Sequence, residues 1–411
     1  MIFNKGYHGR KREDLRFLPF LLMLCTGISI SSIDMYLPAL PELAEFFKTT
    51  ANVLRVSIMI SPFISAFAGL FYGSMSDKYG RRPIILFCLF IFSIGSLWCA
   101  FSNSATEFLI ARSVQAMGST GMGLQTITVI SDKFKGITLA RYLSIYSVLY
   151  PTTYAVAPNI GAFLMLYMSW RGIFYFLTLA GSGLMLFLYV ILPETLNMKS
   201  VTQQQKISIS GWFLDVRRMF RTKPIFRNMA LTNALASIMN NIFITNSPFI
   251  FEQHFCLTKT QFANLSIIPH SFNIIGCLVY SFLLKSRSPK SCLNLGRIVT
   301  LLFMIFTVIA LCIPDALQIV TVVTLYCICA FGMSFLAMTS VGFAVSDIQA
   351  NKGLANGVVQ FVRNISSSFA VMLVGYFCAG SVSQVFFAMS ACAFAVVMTI
   401  STCYQRLPDM A

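Results

Sequence analysis

Runs of about twenty apolar residues return along the whole chain, separated by short polar segments rich in Lys and Arg. Stretches of that length match the thickness of a bilayer core. They lack the alternation over about ten residues that a membrane-spanning β-strand requires. Inside a bilayer the backbone must satisfy its own hydrogen bonds, so the runs read as helices. Of 411 residues, 57% are hydrophobic and 11% charged, too little charge to cover a water-soluble fold of this size. Twelve spans are expected, near residues 17–40, 52–75, 83–102, 105–131, 141–166, 170–192, 226–250, 261–284, 294–313, 316–342, 353–378 and 383–405. The fold class is therefore an all-α polytopic membrane protein.

A formal net charge of +16 would, on a soluble chain, point to nucleic acid. Its placement points to a lipid bilayer instead. On the span map 24 of the 30 Lys and Arg residues fall on the side of the N-terminus. Only Lys48, Arg55, Arg171 and Lys259 fall on the other, and Arg112 and Arg363 lie inside spans. The excess of positive charge marks the cytoplasmic side, so both termini are expected there. The longest loop, 193–224, is polar and basic and has an amphipathic stretch near Trp212 to Phe220. It divides the chain into two six-span halves, 1–192 and 225–411, a parity that suggests a repeat around a central pathway. The first apolar run is too long for a cleavable signal and eleven more follow it. The twelve cysteines are scattered through apolar spans with neither disulfide nor zinc spacing, and they read as small buried hydrophobes. No phosphate-binding loop signature is present. No cofactor is expected, and ATP is not the direct energy source.

Polar residues inside spans are costly, so function is sought among them. Asp34, late in the first span, is the one carboxylate placed within a hydrocarbon span rather than at an end. Burial favours the neutral form of a carboxyl and a nearby cation its charged form, so a group between the two can take and release a proton. The alternative is a static ion pair or a carboxylate at the outer surface. Arg112, in the fourth span, cannot lose its proton and requires a partner or a water-filled cavity, unless it snorkels to the interface. Arg55, across the first outer loop, is a possible ion-pair partner for Asp34 or an interfacial arginine. Arg363, in the eleventh span, is a cavity cation or faces the cytoplasmic vestibule. Pro151 and Pro158 break the hydrogen bonding of the fifth span, and Gly161 permits close packing. The seventh span carries Asn233, Asn240, Asn241 and Asn246, read either as substrate contacts or as interhelical glue. Of the three histidines, His270 lies in the eighth span and reads as a satisfied structural residue rather than a proton relay. Gly73 to Arg82 reads as a basic hairpin between two spans, with Asp77 the only acid among Lys78, Arg81 and Arg82.

These residues resemble those of a known family. Gly73, Asp77, Gly80, Arg81 and Arg82 match the loop signature Gly-x-x-x-Asp-x-x-Gly-Arg-Arg/Lys of the major facilitator superfamily. Asp34 to Pro41 resembles the first-helix signature of its Bcr/CflA-type drug/proton antiporters. Arg112 with Gln115 and Gly118 matches the fourth-helix motif, and Ala157 to Gly161 resembles the antiporter motif of the fifth helix. Ser169 to Phe174, Leu192 to Leu196, Ser247 to Glu252 and Gly353 to Gly357 match further patterns. The resemblance implies a major facilitator fold, twelve helices in two six-helix bundles, and alternating access driven by a proton gradient. It implies Asp34 as the protonation site and Arg112 as its electrostatic regulator. It also implies Gly73, Asp77, Gly80, Arg81 and Arg82 as a cytoplasmic gate whose Asp77 faces the eleventh helix near Gly353. Substrate contacts are expected from Asp34, Gln115, Tyr154, Asn240 and Asn241. The sequence departs from the family in two places: Gly161 is followed by Ala162, and the loop Lys285 to Arg297 has lost the Gly-x-x-x-Asp pattern.

The reading is a monomeric, proton-coupled exporter of a small organic molecule, a drug or a polar metabolite, in a bacterial inner membrane. An importer of a metabolite or siderophore on the same fold is the alternative. A polytopic membrane enzyme would need a His, Asp or Ser cluster at one membrane depth, and the sequence supplies none.

Overall fold

The computed structural model describes residues 17–134, 136–195, 209–284, 286–313, 318–347, 352–377 and 381–407. Within its helices some side chains, including those of Asp77 and Pro151, lie outside the described set, as do the surroundings of Gly73. Every regular element is helical: α1 (Leu18–Asp34), α2 (Leu40–Phe46), α3 (Ala51–Tyr79), α4 (Arg81–Phe101), α5 (Ala105–Lys133), α6 (Gly136–Leu164) and α7 (Arg171–Ile191). After these come α8 (Ile209–Thr222), α9 (Pro224–Pro248), α10 (Lys259–Leu283), α11 (Pro289–Cys312), α12 (Ile319–Ser346), α13 (Lys352–Phe377) and α14 (Val382–Cys403).

Eight helices are long and apolar enough to cross a membrane, by length and composition, among the described residues. This is fewer than the twelve runs expected, and the chemistry of the others explains part of the shortfall. α5 carries Arg112, Gln115 and Gln125, and α9 carries five asparagines, so polar side chains dilute their apolar character. The side chains of α6 and α13 are described only in part. The architecture is an all-α polytopic membrane fold.

The helices before α8 pack chiefly on one another, α4 against α5 and α7, α3 against α5, and α1 against α5 and α6. Those after α8 do the same, α12 against α9, α10 and α11, and α14 against α9 and α11. The two sets meet along α3–α13 and α6–α10. Ser368 donates to the Met59 carbonyl at 3.3 Å on the first seam, and Asn159 donates to the Ala263 carbonyl at 3.0 Å on the second.

Two boundaries differ from the sequence expectation. The first span does not run on to residue 40. α1 ends at Asp34, a short 3-10 turn covers Leu37–Ala39, and α2 starts at Leu40. Pro38 and Pro41 lack the N–H that would continue α1. Gly73 to Arg82 is not a loop. α3 stays helical to Tyr79, Gly80 alone turns the chain at φ 104°, and α4 begins at Arg81. A residue with a Cβ is strained at that φ, and a Cβ there would also strike the Glu194 carboxylate. The eleven described cysteines are free thiols.

Candidate functional site

Arg112 is almost fully buried, at 1% exposure. No described carboxylate forms an ion pair with it. It donates to the Ser32 carbonyl at 2.8 Å, to the Gln115 amide oxygen, and to Ser61 Oγ at 3.3 Å, while its Nε is left without a partner. Its guanidinium lies 4.5 Å from the centre of the Tyr36 ring, a cation–π arrangement that partly replaces the lost hydration. Gln115 is taken up by this network, accepting from Arg112 and donating to Ser96 Oγ at 2.7 Å. It therefore braces Arg112 and does not line the cavity described next.

Asp34 occupies the break after α1, at 2% exposure. No described residue bonds it, and its Oδ2 is buried without a hydrogen-bond partner. It lines a small cavity between the two helix sets. From the first set come Asp34, Leu37, Tyr154 and Pro158, and from the second Phe243, His270 and Tyr326 among others. Ser247 and Ser266 add hydroxyls, and none of the described lining residues is Lys or Arg. Tyr326 stacks on Phe243 with ring centres 3.6 Å apart and donates to Asn240 Oδ1 at 2.9 Å. Tyr154 stacks on His270 across the α6–α10 seam, 5.7 Å between centres.

The sequence candidates thus separate. Asp34, Tyr154 and Pro158 reach the cavity, and Asn240 adjoins it through Tyr326. Asn241 turns back to the Ser237 carbonyl at 2.9 Å, and Asn233 joins α9 to α12 through the Ala337 carbonyl and Ser340. Arg55 does not bond Asp34. It donates to Asn52 Oδ1 at 2.6 Å and lies 4.7 Å from the Phe249 ring centre. Arg363 donates to Asn364 at 3.3 Å and is no part of this cavity wall. Gly161 brings α6 against the backbone of Met35, the residue after Asp34. His270, expected as a satisfied structural histidine, faces the cavity with no hydrogen bond to a described residue. Tyr326 was not singled out from sequence, because one tyrosine in an apolar helix gives no signal until its neighbours are known.

Around Gly80 the structure shows partners that the hairpin pattern did not reveal. Arg81 Nε pairs with Asp132 at 2.9 Å, at the far end of α5, and its Nη1 donates to Ser76 Oγ at 2.9 Å. Beyond α7, the Glu194 carboxylate accepts from the backbone N–H groups of Arg81 at 2.9 Å and Arg82 at 3.2 Å. An anion at a helix N-terminus satisfies amides that have no intrahelical acceptor. The cluster ties α3, α4, α5 and the end of α7 together. The Asp77 side chain lies outside the described set, and of Gly353 only its place in the first turn of α13 is described, so the expected latch is not described.

At the opposite end Lys259 of α10 forms an ion pair with Glu42 of α2, bridging the two helix sets. Glu252, in the turn Phe249–His254 beyond α9, lies beside this pair with its Oε1 buried and unbonded. Burial, reinforced by Glu42 and opposed by Lys259, pushes its carboxyl up to about 8. Among the described residues no group of three or more His, Cys, Asp or Glu side chains could hold a metal ion.

A sequence model of the Major Facilitator Superfamily matches residues 22–371. The uncharacterized MFS-type transporter YdgK of Bacillus subtilis (strain 168) is 27% identical over 277 residues, covering 66% of this chain and 68% of that protein. The multidrug resistance protein MdtL of Shewanella sp. (strain ANA-3) is 26% identical over 275 residues, covering 66% and 67%. Among solved structures, a bacterial homolog of the human lysosomal transporter Spinster, inward-facing and occupied, matches with a TM-score of 0.76 at 15% identity over 97% of this chain and 98% of that one. A D-xylose-proton symporter matches with a TM-score of 0.73 at 13% identity over 97% and 98%. At those identities the likeness is one of fold.

Proposed function

We propose, because this chain belongs to the Major Facilitator Superfamily, that it is a twelve-helix secondary transporter of a small organic molecule, driven by protons through Asp34. It is a membrane transporter and not an enzyme. In this reading the helices before and after α8 are two six-helix bundles, and rocking one against the other exposes the cavity to each side in turn. The carrying observation is Asp34 itself: a buried carboxyl with an unbonded oxygen, bordering the space between the two helix sets, with no cation bonded to it. An unpaired carboxylate in such a place is costly, and taking up a proton removes the charge. A proton crossing the membrane potential supplies about 2.3 kcal/mol per 100 mV.

Arg112 sets the balance. Held by neutral acceptors, it keeps a positive field near Asp34 without fixing it in a permanent ion pair. The cluster at Gly80 holds the cytoplasmic ends of one bundle as a rigid unit, and the Glu42–Lys259 pair closes the outer end. The chain is proposed to act as a monomer in a bacterial inner membrane with both termini in the cytoplasm. Inward symport is supported at the level of fold by the D-xylose-proton symporter. Outward exchange is the second reading, supported by the relative named a multidrug resistance protein and by the proline-interrupted α6 that carries Ala157 to Gly161.

The test uses purified protein in liposomes with an entrapped pH dye, to which D-xylose, a nucleoside and a lipophilic cation are added in turn. A substrate-evoked pH change is expected, and its sign gives the direction. Asp34→Asn is expected to remove the pH change while the protein remains folded. Undiminished proton movement in that variant would overturn the assignment.

A further inference from the structure

His270 sits in α10 directly after Pro269, which interrupts the helix and has no N–H to offer the Leu265 carbonyl. The residue is part of the cavity wall that also carries Asp34, Tyr154 and Tyr326. Its ring nitrogens have no hydrogen bond with a described residue, and neither is sealed away as a buried unbonded atom. They therefore keep some accessible surface. A structural histidine normally spends at least one nitrogen on a neighbour; this one spends neither on a described residue.

The ring lies nearly parallel to that of Tyr154, at 27° with 5.7 Å between centres. Tyr154 belongs to α6 and His270 to α10, so the stack spans the seam between the two helix sets. A cation within about 6 Å of an aromatic face is attracted to it, so an imidazolium binds Tyr154 more tightly than a neutral imidazole does. The other titratable residues that line the same cavity are Asp34 of α1, Tyr154 of α6 and Tyr326 of α12. Among the described residues no Lys or Arg lines the space. Arg112 lies behind the Tyr36 ring, held by Ser32, Gln115 and Ser61.

We propose that His270 is a second proton-carrying residue of the transport cycle, sharing the load with Asp34 and gripping Tyr154 across the seam when it is protonated. This rests on the reading of Asp34 as a proton site. One acid and one base in a common cavity hold a net charge of −1, 0 or +1, depending on the protons bound. Their titrations are properties of the pair. Each proton binds from water on one side, at the Asp34 carboxylate or at a His270 nitrogen, and leaves to water on the other; no other bond changes. Because the stack tightens with charge, loading His270 favours the arrangement in which α6 and α10 are closed on each other.

The test needs no known substrate. The full chain contains three histidines, so isotope-labelled imidazoles give three signals in the purified protein, and His270→Gln assigns one of them. That signal is expected to titrate within the range from about pH 4 to 9, and Asp34→Asn is expected to displace its midpoint. Tyr154→Leu, which removes the aromatic face, is expected to displace it as well. A His270 signal that stays fixed from about pH 4 to 9 would overturn the proposal, and so would a titration unmoved by both variants. If Asp34→Asn still moves protons in liposomes while displacing the His270 midpoint, the Asp34 assignment fails and the one for His270 stands.

Discussion

Two glycines offer a measurement in which the same substitution has opposite consequences. Gly161, in α6, and Gly123, in α5, both lie inside helices. Replacing either by alanine gains about 0.4–1 kcal/mol, because the unfolded chain loses freedom and alanine favours helix. At Gly123 a Cβ meets nothing within 4 Å, so that gain is kept. At Gly161 it runs into the Met35 carbonyl oxygen and comes to 3.2 Å from the Met35 Cγ. The carbonyl is backbone and cannot rotate aside, and the Met35 N–H is held by the Ser31 carbonyl at 2.8 Å. Either α6 or the break after α1 has to move. Overpacking of this kind costs about 1–3 kcal/mol, which outweighs the helix gain. The helix gain is common to both, so the two variants should differ by about 1–3 kcal/mol, Gly123→Ala more stable than native and Gly161→Ala less. Reversible unfolding in mixed detergent micelles, followed by circular dichroism, gives the comparison. Because Met35 adjoins Asp34, Gly161→Ala should also lower transport. If the two variants agree within about 0.5 kcal/mol, the close contact between α6 and Met35 is not real.

Further predictions concern the charged groups. Arg112→Met removes the donors to Ser32, Gln115 and Ser61; leaving buried acceptors unpaired costs about 1–3 kcal/mol, measurable in the same micelles, and Arg112→Lys should recover only part because it lacks the planar fork. Asp132→Asn removes the partner of Arg81 Nε and should cost about 1 kcal/mol or less, since that carboxylate is partly exposed; full retention of stability in Arg81→Ala would show that the cluster at Gly80 is idle. Glu252, raised from 4.5 to about 8, binds its proton more tightly in this arrangement than when exposed. The arrangement is therefore favoured at low pH and loses ground as pH rises from about 4.5 to 8. A label distance between positions 45 and 260 should grow over that range, and Glu252→Gln should abolish the change; a pH response that persists in Glu252→Gln refutes the link.

Much of the fold was legible because a bilayer admits few backbone solutions: an apolar run of sufficient length without alternation is read as a helix. Asp34 and Arg112 were legible for the same reason, being charges where charge is costly. Three features were not. The end of α1 at Asp34 depends on how Pro38 and Pro41 act together. The Gly80 turn looked like a ten-residue loop because polar residues at a helix end resemble a loop in sequence, whereas α3 stays helical to Tyr79 and Arg81, opening α4, bonds Ser76, Asp132 and Glu194. His270 looked like a core histidine, since its surroundings come from α1, α6 and α12, distant in sequence.

By itself the sequence determined the membrane class, the helical fold and the residues whose burial had to be explained, because each follows from the local cost of placing a side chain or an amide in hydrocarbon. Only the tertiary structure decided which of those residues share a space. It left Asp34 without a bond, gave Arg112 to neutral acceptors, and set Tyr154 on His270 across the seam. Those pairings depend on helix crossings between segments up to hundreds of residues apart, and the order of residues along one helix does not encode what the next helix presents to it.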